Sequence, residues 1–595
     1  MGAFTNASNW TATSGSPGFP PGARDEAIIN SGTSILFPAD PSQTLSALTL
    51  GSMGFPTASL AVNGTTLTVG NSSGGGILTN GGVLNVYDGG TLTLLNTSAG
   101  NATISNSGSI NLGFNASDHS TLSFNGAGAT FDLGNGGTGS VTLSDNAGNL
   151  IKGVTGMESL INDGGHTIQG TGTIENLASF TNNGALNSNA GGTLIVDTSA
   201  HLGNWNSGTL TNGYYSASNG SVLQLSSIGA GSIQTLAGAQ ISLSGTGIIS
   251  GDGTTNALLG LANLDDASIA LSGASSFTPT GGILTLTGSQ FTAGSGSGVT
   301  INGSYSQDFN SALKLQNGST FTATGLFANT GTVNLTGEAM MFSTAPGMAH
   351  PTSAGPMGSP TEVEVTSGDF TNSAAGMVTI GDNTSLLIEN GNYTQTGGTT
   401  ALAGTLTVST STDAVNIDGG TLTGGGTVEG SLTVDSGGMV NPGGDPSPTT
   451  LTLTGNYTQS ALGIMDLDVV SSTSYDSLNV TGEAILNGTL EISLDPGFTA
   501  ADGTYLDIVN WGTESGNFNY FNAPVFYSAS YGWQTFAEVF GAGTTGLGLS
   551  SDALYLEVVS TQPAPEPSTF GMLVCSMLLG AGVSWRVRRR RTVIT

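Results

Sequence analysis

The sequence predicts an all-β protein. The expected fold is a right-handed parallel β-helix, a β-solenoid rod, with an aromatic-rich C-terminal cap and one C-terminal transmembrane helix. Two observations predict the rod. From about residue 45 to 500, apolar residues alternate with polar ones, as in Thr65-Thr66-Leu67-Thr68-Val69, Thr193-Leu194-Ile195-Val196-Asp197 and Ser431-Leu432-Thr433-Val434-Asp435. Period two is the pattern of a strand with one buried face. Gly-Gly, Asn-Gly and Ser-Gly pairs interrupt the alternation at short intervals, so the strands are short and end in turns. A third observation predicts the membrane helix. The run 569–585 is apolar and is followed by Arg586, Arg588, Arg589, Arg590 and Arg591. About 17 apolar residues just cross a bilayer core of ~30 Å, and arginines beyond such a run hold that end in the cytoplasm.

A loose repeat specifies the solenoid further. An apolar-x-Asn-x-Gly-x-apolar motif recurs around Asn106, Asn182 and Asn329, with a related form at Asn80. A second pair matches over five residues, Gly391-Asn-Tyr-Thr-Gln395 and Gly455-Asn-Tyr-Thr-Gln459. Degenerate short-strand repeats of this kind stack as coils. Equivalent Asn residues are expected to form hydrogen-bonded ladders between coils. The solenoid is placed at residues 1–504, with the Pro-rich segment 343–360 as a loop thrown out from it. Residues 505–560 carry Trp511, Tyr520, Phe521, Trp533 and Phe540, and form the expected cap over the last open edge. Residues 561–568 are a linker, 569–585 the membrane helix and 586–595 a basic cytoplasmic tail.

Composition excludes several functions. Of eight Lys and Arg residues, only Arg24, Lys152 and Lys314 precede the tail, against 38 acidic residues ahead of Pro565. Such a chain does not bind nucleic acid by counterion release, and it repels anionic surfaces. One cysteine, Cys575, excludes an intramolecular disulfide. Residues 1–30 contain neither a basic n-region nor an apolar h-region, so an export signal is expected upstream of Met1.

Catalytic chemistry is sparse. A polysaccharide lyase needs a basic group beside the proton it removes, and the three internal cations lie far apart in sequence. A glycoside hydrolase needs two carboxylates at a set separation. Glu362 with Glu364, and Asp466 with Asp468, share a strand face by their i, i+2 spacing, with Val363 and Leu467 pointing inward. That spacing is expected to make a solvated strand face. His119, His166, His201 and His350 show no metal-ligand spacing, and Asp163-Gly-Gly-His166 reads as a turn. Asp265-Asp266 and Gly251-Asp252-Gly253 offer oxygens to Ca²⁺ without a supporting loop motif. No catalytic, metal or cofactor residue is assigned, and no cofactor is expected.

Two resemblances add to this reading. Pro565-Glu566-Pro567, then the apolar run, then the Arg cluster resemble the PEP-CTERM sorting signal of bacterial surface proteins. The resemblance implies processing near the triplet by an exosortase-like transpeptidase, a transient membrane stage, and delivery to the cell surface or extracellular matrix, with exported polysaccharide as a partner. Gly170-Thr-Gly-Thr-Ile174, Gly424-Gly-Gly-Thr-Val428, Val440-Asn-Pro-Gly443 and Tyr475-Asp-Ser-Leu-Asn-Val480 resemble the β-helical repeats of autotransporter-like surface proteins. No C-terminal membrane barrel is expected with them, so autotransporter secretion is not expected. The expected function is an exported structural or adhesive protein of the extracellular matrix. The alternative is a β-helical lyase or glycoside hydrolase that degrades polysaccharide.

Overall fold

The structure is a computed structural model. It describes residues 2–3, 20–30, 33–37, 42–51, 58–71, 76–98, 100–115, 117–337, 361–444, 447–498, 504–522, 527–528, 531–533 and 553–559. Within them the chain is a β-solenoid with three strand faces per coil. Ser304–Gln307, Ala312–Gln316 and Thr320–Ala323 make one such coil. Each pairs in parallel with its counterpart in the next coil: Tyr305 opposite Phe327, Leu313 opposite Val333, and Phe321 opposite Val363.

Alternation in sequence becomes alternation in burial. In Thr193–Val196, Leu194 and Val196 are buried, while Thr193 and Ile195 are half-buried. Their partners across the coil, Leu223 and Leu225, are buried too. Parallel in-register stacking therefore collects the inward side chains into continuous apolar columns. In the middle of the rod one column is aromatic. The Phe327 ring stacks on Phe370 at a centroid distance of 4.5 Å and an interplanar angle of 12°. Phe370 stacks in turn on Tyr393 at 5.1 Å and 16°.

Departures from parallel pairing are few among the described residues. A hairpin, Trp205–Asn206 with Thr209–Thr211, is inserted in one coil. A second links Ile464–Ser471 to Ser474–Tyr475. Coiling continues to Thr513–Gly516 and Tyr520–Asn522. Tyr505–Asn510 then pairs antiparallel with Ala553–Val559.

The expected membrane helix is a correction. Residues 569–585 lie outside the described residues, as do the loop 343–360, the triplet Pro565, Glu566, Pro567 and the cluster Arg586, Arg588, Arg589, Arg590, Arg591. No helix of the described residues is long and apolar enough to cross a membrane. Those present are 3-10 turns of three or four residues, at Thr198–Ala200, Ser226–Ile228 and Ala257–Gly260. A spanning helix needs about 20. The fold class of the described residues is the all-β solenoid.

Candidate functional site

The most ordered chemistry in the rod is a buried polar column beside the apolar ones. Several short strands of the first face carry an inward amide two residues after an inward apolar residue, which is aromatic in Phe180/Asn182, Tyr305/Gln307, Phe327/Asn329 and Phe370/Asn372. In Phe327–Asn329, Phe327 and Asn329 point inward and Ala328 outward. The inward amides then meet from coil to coil. Gln307 Nε2 donates to Asn329 Oδ1 at 2.6 Å. Asn329 Nδ2 donates to Asn372 Oδ1 at 2.9 Å, and Asn372 Nδ2 to Gln395 Oε1 at 3.3 Å. Nearer the N-terminus, Asn80 Nδ2 donates to Asn106 Oδ1 at 2.8 Å and Asn162 Nδ2 to Asn182 Oδ1 at 2.7 Å. An amide carries both donors and acceptors, so a stack of amides satisfies itself without water. Asn80, Asn106 and Asn182 belong to the N-terminal run of amides and Asn329 to a second run; Leu210, Leu236, Leu264 and Leu286 take the inward position in the coils between them. The ladder expected from the sequence is present.

His166 completes the column where an asparagine is missing. The coil containing Thr130–Leu133 supplies no amide, and the imidazole fills the gap. Asn106 Nδ2 lies 2.8 Å from His166 Nε2, and His166 Nδ1 lies 2.7 Å from Asn162 Oδ1. Gly134 makes the room, since a Cβ there would stand 2.9 Å from the His166 Cβ. Burial pushes the His166 pKa down to about 4 against the opposing pull of Asp163, so the ring is neutral at pH 7. Its role is structural. His119 is exposed, and His201 Nδ1 lies 3.2 Å from the Leu177 carbonyl oxygen. His350 lies outside the described residues.

Neither carboxylate pair is a solvated strand face throughout. Glu362 and Glu364 are each only 2% exposed. Val363 between them is inward, as the alternation requires. Burial, then Glu364 and Glu389, push the Glu362 pKa up to about 10. Its Oε2 is buried without a hydrogen-bond partner. A carboxyl so placed holds its proton at neutral pH. Thr322 Oγ1 donates to Glu364 Oε2 at 3.0 Å. A hydrolase acid must be reached by substrate, and this pair is closed off.

Asp466 is likewise 5% exposed, while Asp468 is half-buried. The sequence missed their fully buried neighbour, Asp476. Its Oδ1 accepts from the Thr449 N–H and its Oδ2 from the Asp468 N–H, both at 3.0 Å. Burial pushes its pKa up to about 7; the two N–H groups oppose that shift, and Asp468 and Asp466 reinforce it. Asp476 ties the turn after Val440-Asn-Pro-Gly443 to the strand Ile464–Ser471. Asp476 itself lies in the Tyr475-Asp-Ser-Leu-Asn-Val480 motif, so its bond to Thr449 joins that motif to the segment after Val440-Asn-Pro-Gly443.

The Asp252 carboxylate is filled from within. Asp252 Oδ1 accepts from the Thr254 and Thr255 N–H groups, and Oδ2 from Thr255 Oγ1. Asp265 and Asp266 are exposed. Among the described residues no group of three or more His, Cys, Asp or Glu is arranged to hold a metal ion. Glu158 shows the same internal satisfaction: burial pushes its pKa up, but N–H groups of Gly126 and Thr155 leave it lowered on balance.

Comparison with known proteins adds little. No family model and no curated protein matches the chain. Among solved structures, the chain is similar to the crystal structure of the Haemophilus influenzae Hap adhesin, at 12% identity and a TM-score of 0.27. The match covers 89% of this chain, which spans 64% of the length of that one. So low a TM-score assigns neither fold nor function.

Proposed function

We propose that this chain is an exported, surface-displayed rod that serves as a structural or adhesive element of the extracellular matrix. One observation carries the reading. The stacked amides of the rod are committed to holding coils together, and from residue 371 to 458 the outward middle positions of the first face are small and uncharged. Thr371, Thr394, Asn416, Thr433 and Thr458 follow one another across successive coils in that outward column. That stretch of the face offers hydrogen bonds along the rod but no carboxylate, imidazole or amine.

In this reading Pro565, Glu566 and Pro567, with the cluster Arg586, Arg588, Arg589, Arg590 and Arg591, form a sorting signal for an exosortase-like transpeptidase. Exported polysaccharide is the matrix partner. The enzyme alternative is tested by incubating the purified chain with acidic and neutral polysaccharides. Release of reducing ends or unsaturated products overturns the structural reading. Sorting is tested by C-terminal mass spectrometry of native surface material. The expected mature end lies near Pro567, and dominant recovery of peptides running through Arg591 contradicts it.

A further inference from the structure

One run of turns between the first and second faces lines a groove. Gly165, Asn183-Gly184, Asn212-Gly213 and Gly238 fall at the same corner of four successive coils and line a cavity of about 480 Å³. Four coils step the groove along the rod by about 14 Å, since stacked strands lie ~4.8 Å apart. Its volume falls in the range of small-molecule sites. Gly213 is required here: its φ is 74° and a Cβ would meet the Asn182 carbonyl oxygen at 2.5 Å. The glycines thus give the groove a floor of bare backbone.

The lining selects a ligand class. Asn183, Asn212 and Gln240 are exposed and turn their amides to the groove margin. Each amide offers donors and an acceptor within one plane, which suits vicinal hydroxyls. Tyr214 adds a half-buried aromatic ring with a polar tip, a surface on which apolar C–H groups and hydroxyls are both accommodated. His166 reaches the floor as a neutral ring with both nitrogens engaged. No Lys, Arg, Asp or Glu lines the cavity. The next coil places exposed Asp266 at this corner, and the chain is strongly acidic ahead of its tail, so an anionic ligand is repelled. An apolar ligand would desolvate three amides without replacing their water.

We propose that this groove binds a neutral oligosaccharide lengthwise along the rod. The proposal gives the adhesive part of the function above a ligand class and rests on it. The test uses the full purified chain and an immobilised panel of neutral tetrasaccharides (glucans, mannans and galactans), with oligogalacturonate as the acidic comparison. At least one neutral tetrasaccharide is expected to bind saturably, with at least tenfold loss in Gln240→Ala combined with Asn183→Ala. Both positions are exposed, and far-UV circular dichroism checks that the variant keeps its fold. Tyr214→Phe should weaken binding less than the amide pair. Three results overturn the proposal: no neutral binding, equal binding of the acidic oligomer, or binding unchanged in the double variant. A failure here leaves surface display as it stands, because protease shaving of intact cells measures display without reference to the groove.

Discussion

Replacing Asn329 by alanine tests whether the polar column holds the coils together. Asn329 is fully buried. Its Oδ1 accepts from Gln307 Nε2 at 2.6 Å and from the Gly331 N–H at 3.0 Å, and its Nδ2 donates to Asn372 Oδ1 at 2.9 Å. Alanine removes all three. Gln307 Nε2 keeps a second acceptor, the Thr332 carbonyl at 2.9 Å. The Gly331 N–H loses its side-chain acceptor, and Asn372 Oδ1 loses its donor from the coil below. Each buried group left unsatisfied costs ~1–3 kcal/mol, so two cost about 2–6 kcal/mol. The neighbouring outward position supplies the control: Thr371→Ala, on the half-buried side of its strand, should change stability by less than about 0.5 kcal/mol. A solenoid opens by segments, so the assay is native-state hydrogen exchange resolved by peptide rather than a single melting curve. Peptides covering residues 320–336 and 368–380 should lose protection by the stated amount, while those from residues 80–110 should not change. Equal effects of Asn329→Ala and Thr371→Ala, or a loss spread evenly over the rod, would refute the column as a stabilising element.

Three further outcomes follow from particular contacts. Phe370→Ala opens a cavity between two stacked rings and should cost ~3–5 kcal/mol by local exchange, whereas Phe114→Ala, at an 81% exposed position, should be silent. Asp476, raised in the folded state, binds its proton there more tightly than in the unfolded chain. Its contribution is therefore complete below pH ~4 and lost as pH rises through about 7. After correction for intrinsic rates, exchange protection of residues 447–453 and 464–480 should be higher at pH 5 than at pH 8, and the reverse order contradicts the assignment. His166→Asn should retain most stability at pH 7, because an amide can replace a neutral ring between Asn106 and Asn162, while His166→Leu should lose ~1–3 kcal/mol, because Asn162 Oδ1 loses its partner although Asn106 Nδ2 keeps the Ser140 carbonyl, measured in the same way.

The solenoid was legible because its rule is local. Alternation of Thr with Leu, Ile and Val fixes which side of each strand is wet, and that holds whatever the coil length. The polar column was only partly legible. Asn162 stacks on Asn182 at a separation of 20 residues, yet Asn329 stacks on Asn372 at 43. With steps so uneven, no period in the sequence aligns one with the other. Turn length absorbs the difference while the strand register persists. His166 was read as part of a turn, since nothing local shows that an earlier coil lacks its amide. The burial of Glu362 and Glu364 was hidden for a similar reason. Alternation assigns them to the outer face, and the outer face is normally solvated. Asp476 was overlooked because its two partners, the Thr449 and Asp468 N–H groups, belong to different coils.

A last regularity links the aromatic and polar columns. Where the inward aromatic is Phe, the amide two residues on is Asn, as in Phe180/Asn182, Phe327/Asn329 and Phe370/Asn372. Where it is Tyr, the amide is Gln, as in Tyr305/Gln307, Tyr393/Gln395 and Tyr457/Gln459. The reason is reach. A buried tyrosine hydroxyl needs an acceptor, and the longer amide supplies one: Tyr305 donates to Gln307 Oε1 and Tyr457 to Gln459 Oε1, both at 2.7 Å. In the third pair Thr400 stands between, bonded to Tyr393 and donating to Gln395 Oε1 at 2.5 Å. Gln459→Asn should therefore strand the Tyr457 hydroxyl in the core and cost ~1–3 kcal/mol, beyond any loss of its bonds to the Gly463 and Thr489 carbonyls. Tyr457→Phe alone leaves Gln459 with those two bonds and should cost less. Combining the two recreates the Phe/Asn pairing, in which no hydroxyl needs a partner. The double variant is then expected to be more stable than Gln459→Asn alone, with a coupling of about 1 kcal/mol or more in a double-mutant cycle read by local exchange. Strict additivity of the two substitutions would show that the pairing of Tyr with Gln follows from something other than the hydroxyl.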